Sequence, residues 1–112
     1  MPNQSTDLGR VFQALADPTR RAVLERLAGG PAAMSELAGP FRMALPSFSQ
    51  HLNVLEDCGL VRSSKQGRVR TYQLAPKAMA SAETWLAKQR ALWTRRLDQL
   101  DGYLETLKEK NP

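Results

Sequence analysis

The sequence predicts a mainly α-helical fold that carries one small β-hairpin and ends in a long helix. Most of the chain spaces its apolar residues three and four apart, and early proline with late glycine brackets several of these segments. Between residues 61 and 74 the pattern changes to alternation around a glycine, which is typical of two short strands. Helical spacing then resumes at about residue 76 and continues to about residue 107.

The size and composition of the chain favour one soluble domain spanning residues 1–112. A hydrophobic fraction of 42% and a charged fraction of 24% are ordinary for a globular protein. The net charge of +5 permits an acidic partner such as nucleic acid. No signal peptide or membrane-length apolar run is apparent, and the single cysteine, Cys58, cannot form an internal disulfide. We therefore expect a cytoplasmic protein.

The first two helices are predicted over residues 5–16 and 17–28. The second has clear boundaries, because Asp17 can cap it, Pro18 suits its first turn and Gly29 can end it. Its apolar stripe is expected to face the core, and its arginines, Arg20 among them, are expected to face solvent.

A third and a fourth helix are predicted next, ending near Gly39 and running from about Pro46 to Gly59. Only "GPFRMALP" separates them, which is short enough for a helix-turn-helix arrangement. Two strands, at about residues 61–65 and 69–74, then form a hairpin around Gly67.

The fourth helix has the composition of a helix that reads DNA. Phe48, Leu52 and Leu55 share one face and can anchor the helix to a core. In a helix-turn-helix the N-terminal side chains of the second helix contact base edges, and Gln or Asn can pair bidentately with adenine. His51 leaves two alternatives open, a base contact or an inward hydrogen bond. The candidate reading residues are Ser47, Ser49, Gln50, His51 and Asn53.

The predicted hairpin is strongly basic, with no acidic residue between residues 61 and 82. Such a like-charged segment is tolerated more readily where an anion neutralises it, so we expect it to grip the DNA backbone. Three phosphate contacts per subunit in a dimer would give a salt slope of about −5, at roughly −0.9 per phosphate. The candidate contacts are Arg62, Lys65, Arg68 and Arg70.

The segments "ALADPTRRAVLERLAGGPAAMSELAGPF" and "SQHLNVLEDCGLVRSSKQGRVRTYQL" resemble the ArsR family of winged helix-turn-helix repressors, over about residues 8–74. The resemblance implies a homodimer that binds double-stranded DNA at an operator with inverted-repeat character and releases it when an inducer binds. It places base-reading positions at Ser47, Ser49, Gln50 and His51. It places the wing at residues 65–70, with Arg68 as the foremost phosphate or minor-groove contact.

The predicted C-terminal helix, about residues 76–108, carries an apolar residue at every seventh position from Met79 to Leu107. At 1.5 Å per residue, its roughly 31 residues span about 47 Å, more than so small a body can cover. The excess apolar face predicts a two-fold dimer, and the resemblance adds the first helix to the interface. The expected interface residues are Leu8, Val11, Phe12, Leu86, Trp93, Leu97, Leu100 and Leu104.

Other functions have weaker support. The usual cysteine and histidine metal ligands of the resembling family are missing, so no metal and no cofactor are expected. His51 and Cys58 lie on one helix without a third group to orient them, which argues against an enzyme. A small-molecule inducer held among Trp85, Trp93 and Tyr103, and a redox role for Cys58, stay open. The competing function is a protein-interaction module of the same fold, or a non-specific nucleic-acid binder.

Overall fold

The computed structural model describes the backbone of residues 4–110 and the side chains of residues 7–110. The ends of the predicted domain, residues 1–3 and 111–112, lie outside the described part. The elements follow the predicted order with one addition, a short strand before the third helix. They are α1 (Gln4–Leu15), α2 (Pro18–Leu27), β1 (Ala32–Ala33), α3 (Met34–Ala38), α4 (Leu45–Asp57), β2 (Val61–Gln66), β3 (Val69–Leu74) and α5 (Pro76–Lys110).

The sheet has three antiparallel strands in the order β1-β3-β2, whereas the sequence predicts a two-stranded hairpin. β1 pairs with β3 through Ala32 opposite Tyr72 and Ala33 opposite Thr71. A two-residue strand of small side chains has no alternation to detect, so only the tertiary pairing reveals it. The strand ties the segment before α3 to the base of the hairpin.

The predicted helix boundaries are close to those observed. Asp17 caps α2, and its Oδ2 accepts a hydrogen bond of 3.1 Å from the backbone N–H of Arg20. α4 begins one residue earlier than predicted and ends just before Gly59, whose φ of +86° lets the chain turn away from the helix. α5 extends two to three residues beyond the predicted end at about residues 107–108, to Lys110.

The core confirms the predicted anchoring of α4. Phe48, Leu52 and Leu55 each have 0% exposure. Fully burying a side chain of this type contributes about 1.5–3 kcal/mol, so these three residues hold α4 firmly against the body. The other core residues come from α1, α2, β1, α3, the sheet and the start of α5; they are Val11, Ala14, Val23, Leu24, Leu27, Ala32, Leu37, Leu60, Val61, Tyr72 and Ala82.

The chain divides into two compact units, Met1–Ala82 and Glu83–Pro112. The first unit contains α1 to α4, the sheet and the first turns of α5. Helix α3, the connection at residues 39–44, α4 and the β2–β3 hairpin follow one another as in a winged helix-turn-helix.

The second unit contains α5 from Glu83 onward, and its large apolar side chains are exposed in the single chain. No helix among residues 4–110 combines the length and apolarity needed to cross a membrane. The exposed apolar residues of this unit are Trp85, Leu86, Leu92, Trp93, Leu97, Leu100, Tyr103, Leu104 and Leu107.

Candidate nucleic-acid interface

One strip of α4 is polar and exposed. Ser47, Gln50 and Asn53 are exposed and lie three residues apart, so they share the side of the helix opposite the buried anchor residues. Val54 lies on the same strip and is 36% exposed. Three of the five predicted reading residues therefore occupy one accessible surface, which we call the reading strip: Ser47, Gln50, Asn53 and Val54.

The other two predicted reading residues lie on opposite flanks of α4. Ser49 is half-buried on the same flank as Glu56, which is seven residues later and contacts β2. His51 is half-buried on the flank that faces α2, where its Nδ1 lies 3.1 Å from Nη1 of Arg20. The structure thus has the inward arrangement of His51 rather than an outward one.

Arg20 corrects an expectation from the helical pattern. Instead of extending into solvent, its Nε donates a 2.8 Å hydrogen bond to the carbonyl of Ala14, and its Nη2 donates one of 2.9 Å to the carbonyl of Gln13. Helical periodicity could not reveal this contact, because the acceptors lie at the end of the preceding helix.

The wing, residues 61–74, separates the predicted basic residues onto different surfaces. Lys65 lies directly opposite Arg70, whereas Arg62 pairs with Gln73 on the other face of the hairpin. Arg68 occupies the second central position of the turn, after Gly67, whose φ of +63° suits a type II′ turn. Arg68 is therefore the basic residue at the tip of the wing.

Arg70 is linked through Ser63 to Glu56, an acidic residue that lies outside the hairpin sequence. Its Nη1 donates to Oγ of Ser63 at 2.8 Å, and the Ser63 hydroxyl donates to Oε2 of Glu56 at 2.6 Å. Burial, reinforced by the charge of Glu56, also raises the pKa of the Tyr72 hydroxyl in this region. The β2–β3 hairpin is thus hydrogen-bonded to α4 through Ser63, and Arg70, although exposed, already has one partner within the chain.

The structure adds one basic residue that the sequence reasoning missed. Arg42 is exposed in the connection at residues 39–44, just before α4. Ala44, the N-cap residue of α4, makes no side-chain capping hydrogen bond, so the helix start offers N–H groups and a positive dipole end. A basic residue between the two helices of a helix-turn-helix is the sequence signal that could have identified it.

The predicted interface residues divide into exposed and buried ones. Leu86, Trp93, Leu97, Leu100 and Leu104 are 47–66% exposed. Leu8 and Phe12 on α1 are partly buried. Val11 is only 3% exposed and belongs to the core of its own chain, so its assignment to a dimer interface was wrong.

Two titratable groups beside α4 have shifted pKa values. Partial burial raises the pKa of the Asp17 carboxyl, but the hydrogen bond from the Arg20 N–H and the charge of Arg20 help to outweigh it, so the net shift is downward. Burial raises the pKa of the Cys58 thiol, which donates to the carbonyl of Leu55 at 3.4 Å. Within residues 4–110, no group of three His, Cys, Asp or Glu side chains could hold a metal ion.

Comparison of the sequence with protein families and curated proteins agrees with this geometry. A helix-turn-helix domain model matches residues 15–64. The chain is 48% identical to the HTH-type transcriptional regulator Rv2034 of Mycobacterium tuberculosis over 98 residues, which cover 88% of this chain and 86% of that protein. It is 32% identical to the transcriptional repressor SdpR of Bacillus subtilis over 79 residues, or 70% of this chain and 88% of the repressor.

Solved structures that are similar to this chain also include regulators of the winged helix-turn-helix type. The crystal structure of the ArsR family transcriptional regulator RHA00566 is 55% identical, with a TM-score of 0.79, covering 84% of this chain and 97% of that chain. The homodimeric winged helix-turn-helix DNA-binding domain of Mb0332 from Mycobacterium bovis is 30% identical, with a TM-score of 0.60 and coverages of 77% and 82%.

Proposed function

Because this chain belongs to the ArsR family of winged helix-turn-helix transcriptional regulators, we propose that it is a homodimeric repressor of an operator with inverted-repeat character. One observation carries the proposal: α4 is anchored by three fully buried side chains and presents the polar reading strip on its opposite side. The names of two relatives support it, since SdpR is a repressor and the Mb0332 domain is homodimeric.

We propose a division of labour between the helix and the wing. Gln50 and Asn53 would read base edges in the major groove, and Ser47 and Ser49 would bond bases or phosphates near the start of the helix. Arg68 at the wing tip, with Arg62, Lys65 and Arg42, would contact the DNA backbone. Arg70 would contribute less, because Ser63 and Glu56 already engage it.

The dimer would form through the apolar face of α5, and Leu8 and Phe12 of α1 would also belong to its interface. Exposed apolar residues over such a length of helix are costly to leave in water, and a second copy of the same face can cover them. We therefore propose that residues 8–74 form the DNA-binding core and that residues 76–108 form the dimerisation helix. In such a dimer the two reading helices would meet half-sites about 34–36 Å apart.

The first experiment selects DNA from a randomised 30-base-pair library with the wild-type protein. We expect enrichment of one inverted-repeat sequence, whose retardation survives a large excess of random competitor DNA. Gln50→Asp and a matched control, Gln89→Asp on α5, are then compared on the enriched duplex. Binding that any DNA competes away equally would identify a non-specific binder and contradict the proposal.

The second experiment tests the dimer by sedimentation velocity. Leu97 is 61% exposed, and Leu97→Glu should shift the protein from dimer to monomer, because the change buries a carboxylate in the proposed apolar interface. Gln99→Glu adds the same charge two residues away on another side of the helix and should leave the dimer intact. A wild-type protein that sediments as a stable monomer would refute the dimer.

The remaining proposals concern the signal and the setting. A small-molecule inducer held near Trp85, Trp93 and Tyr103 would require the partner's apolar face, because all three side chains are on the surface of the single chain. A thermal-shift screen of apolar metabolites would detect it, and the compound should also release the enriched duplex. Because the proposed function is to bind DNA, we also propose that the protein is located in the cytoplasm. A chain that retards no DNA but captures a protein would favour the interaction-module alternative.

A further inference from the structure

We infer that Arg20 is a positioning residue for DNA reading, which sets the orientation of α4 through His51 without touching DNA itself. The inference rests on the proposed function and goes beyond it, because it assigns a role in specificity to a residue outside both the reading strip and the wing. It starts from the contacts of the Arg20 side chain.

The guanidinium of Arg20 joins three helices. Its Nε and Nη2 donate to the carbonyls of Ala14 and Gln13, at 2.8 and 2.9 Å, in the last turn of α1. Both carbonyls lie where the helical ladder of α1 ends. That of Gln13 also accepts from the backbone N–H of Ala16 at 3.2 Å, and Arg20 gives each carbonyl a side-chain donor. Its remaining nitrogen, Nη1, lies 3.1 Å from Nδ1 of His51 on α4.

The chemistry of the two side chains determines the direction of the Arg20–His51 hydrogen bond. A guanidinium has donors only, so Nδ1 of His51 must accept, and a neutral ring then carries its proton on Nε2. Oδ2 of Asp17 lies 3.8 Å from the same Nδ1, beyond hydrogen-bonding distance, and accepts instead from the backbone N–H of Arg20. Arg20 is thus held from both its backbone and its side chain.

This bond supplies a directional constraint that the core does not. Phe48, Leu52 and Leu55 hold α4 by apolar packing, and apolar attraction has no preferred direction. A rotation of α4 by about 20° would move side chains at a radius of about 5–6 Å by about 2 Å. Such a shift is several times the width, about 0.5 Å, of the distance range of about 2.7–3.2 Å within which a hydrogen bond to a base forms. His51 directly follows Gln50, so fixing its ring limits the rotation where base reading would occur.

The flank of α4 opposite His51 is also held by a hydrogen bond, from Ser63 on β2 to Glu56. Two polar contacts on opposite flanks therefore oppose rotation in both directions. A direct contact between Arg20 and DNA phosphate would have to use the second N–H of Nη1 or Nη2, because Nε, Nη1 and Nη2 each already donate to a partner within the chain.

The test compares four single variants and one double variant in the full-length protein. Arg20→Lys keeps the charge but cannot make three forked contacts. Arg21→Lys is the matched control, because Arg21 also donates to a carbonyl at the end of α1, that of Leu15 at 2.8 Å, and has no hydrogen bond or ion pair with α4 among residues 7–110. His51→Leu removes the acceptor, whereas His51→Asn keeps an oxygen near the position of Nδ1.

The readouts are affinity for the duplex enriched by the wild type, affinity for a random-sequence duplex and hydrogen exchange of the α4 amides. Arg20→Lys and His51→Leu should each lower the affinity for the enriched duplex about tenfold. Their affinity for the random-sequence duplex should stay within about twofold of that of the wild type, and the hydrogen exchange of the α4 amides should be faster. Arg21→Lys and His51→Asn should behave like the wild type. The double variant Arg20→Lys/His51→Leu should be no weaker than either single variant.

Several results would overturn the inference. Equal loss on both duplexes would make Arg20 or His51 a direct DNA contact or a general stability residue. Failure of His51→Asn to restore binding, or additive losses in the double variant, would break the proposed link between the two side chains. If Arg20→Lys does not fold, the comparison of His51→Leu with His51→Asn tests the inference by itself. A wild type without preference for any duplex would refute the proposed function instead, and the exchange data would still report whether Arg20 orders α4.

Discussion

Replacing Arg68 and Arg70 separately by alanine tests how the wing meets DNA. Arg68 is in the turn at the tip of the wing, whereas Arg70 donates to Ser63, which in turn donates to Glu56. The two substitutions remove the same charge from positions two residues apart. The structure therefore predicts different salt dependences for two changes that the sequence treats as equivalent.

The expected magnitude follows from counterion release. If Arg68 contacts one phosphate in each subunit of a dimer, Arg68→Ala should flatten the slope of log K against log salt by about 1.8, twice the roughly 0.9 per phosphate. Between 50 and 200 mM salt, the difference from the wild type should therefore shrink about tenfold. Arg70→Ala should change the slope by less than half as much, because its charge already interacts with Glu56 through Ser63.

Fluorescence anisotropy on the enriched duplex and on a random duplex, over a salt series, measures both slopes. Arg26→Ala is a suitable control, because it removes the same charge from a residue that pairs with Glu36 at 3.7 Å. Equal slope changes for Arg68→Ala and Arg70→Ala would refute the inferred effect of Ser63 and Glu56 on Arg70. An unchanged slope for Arg68→Ala would show that the wing tip does not contact phosphate.

Three further predictions concern α4 and its surroundings. Gln50→Ala should cost about 1–3 kcal/mol at one or two base positions and leave random binding unchanged, as measured with a panel of single-base operator variants. Asp17→Ala should lower the free energy of unfolding by about 0.5–2 kcal/mol at neutral pH, because the cap of α2 is lost. Since the pKa of Asp17 is lowered in the fold, this difference is fully present above the unfolded carboxyl value of about 3.9, and urea titrations should show it shrinking as the pH falls through the lower folded value. Cys58 should react with iodoacetamide more slowly in the native state than in urea, because burial raises the pKa of its thiol; equal rates would contradict that environment.

Local patterns in the sequence predict most of the elements. The cap and early proline of α2, the glycine that follows α4 and the alternation in the β2–β3 hairpin depend on neighbours within a few residues, and their boundaries match the structure closely. The anchoring of α4 is equally local, because Phe48, Leu52 and Leu55 lie on one helical face. These features need no knowledge of the remaining chain.

The errors concern contacts between distant segments. β1 exists because Ala32 meets Tyr72, and Val11 is buried because other helices pack over it. Arg20 turns toward α1 and α4 because two carbonyls at the end of α1 and an imidazole on α4 accept its hydrogens.

The sequence alone thus determined the order of helices and strands, the buried face of α4 and the set of candidate residues for reading DNA. The tertiary structure decided which of those residues are accessible, turning His51 toward Arg20 and linking Arg70 to Glu56. The physical reason is the distance along the chain over which each kind of interaction acts. Periodicity and capping act between residues a few positions apart, whereas the partner of a long charged side chain is chosen only when distant segments are brought within about 3 Å.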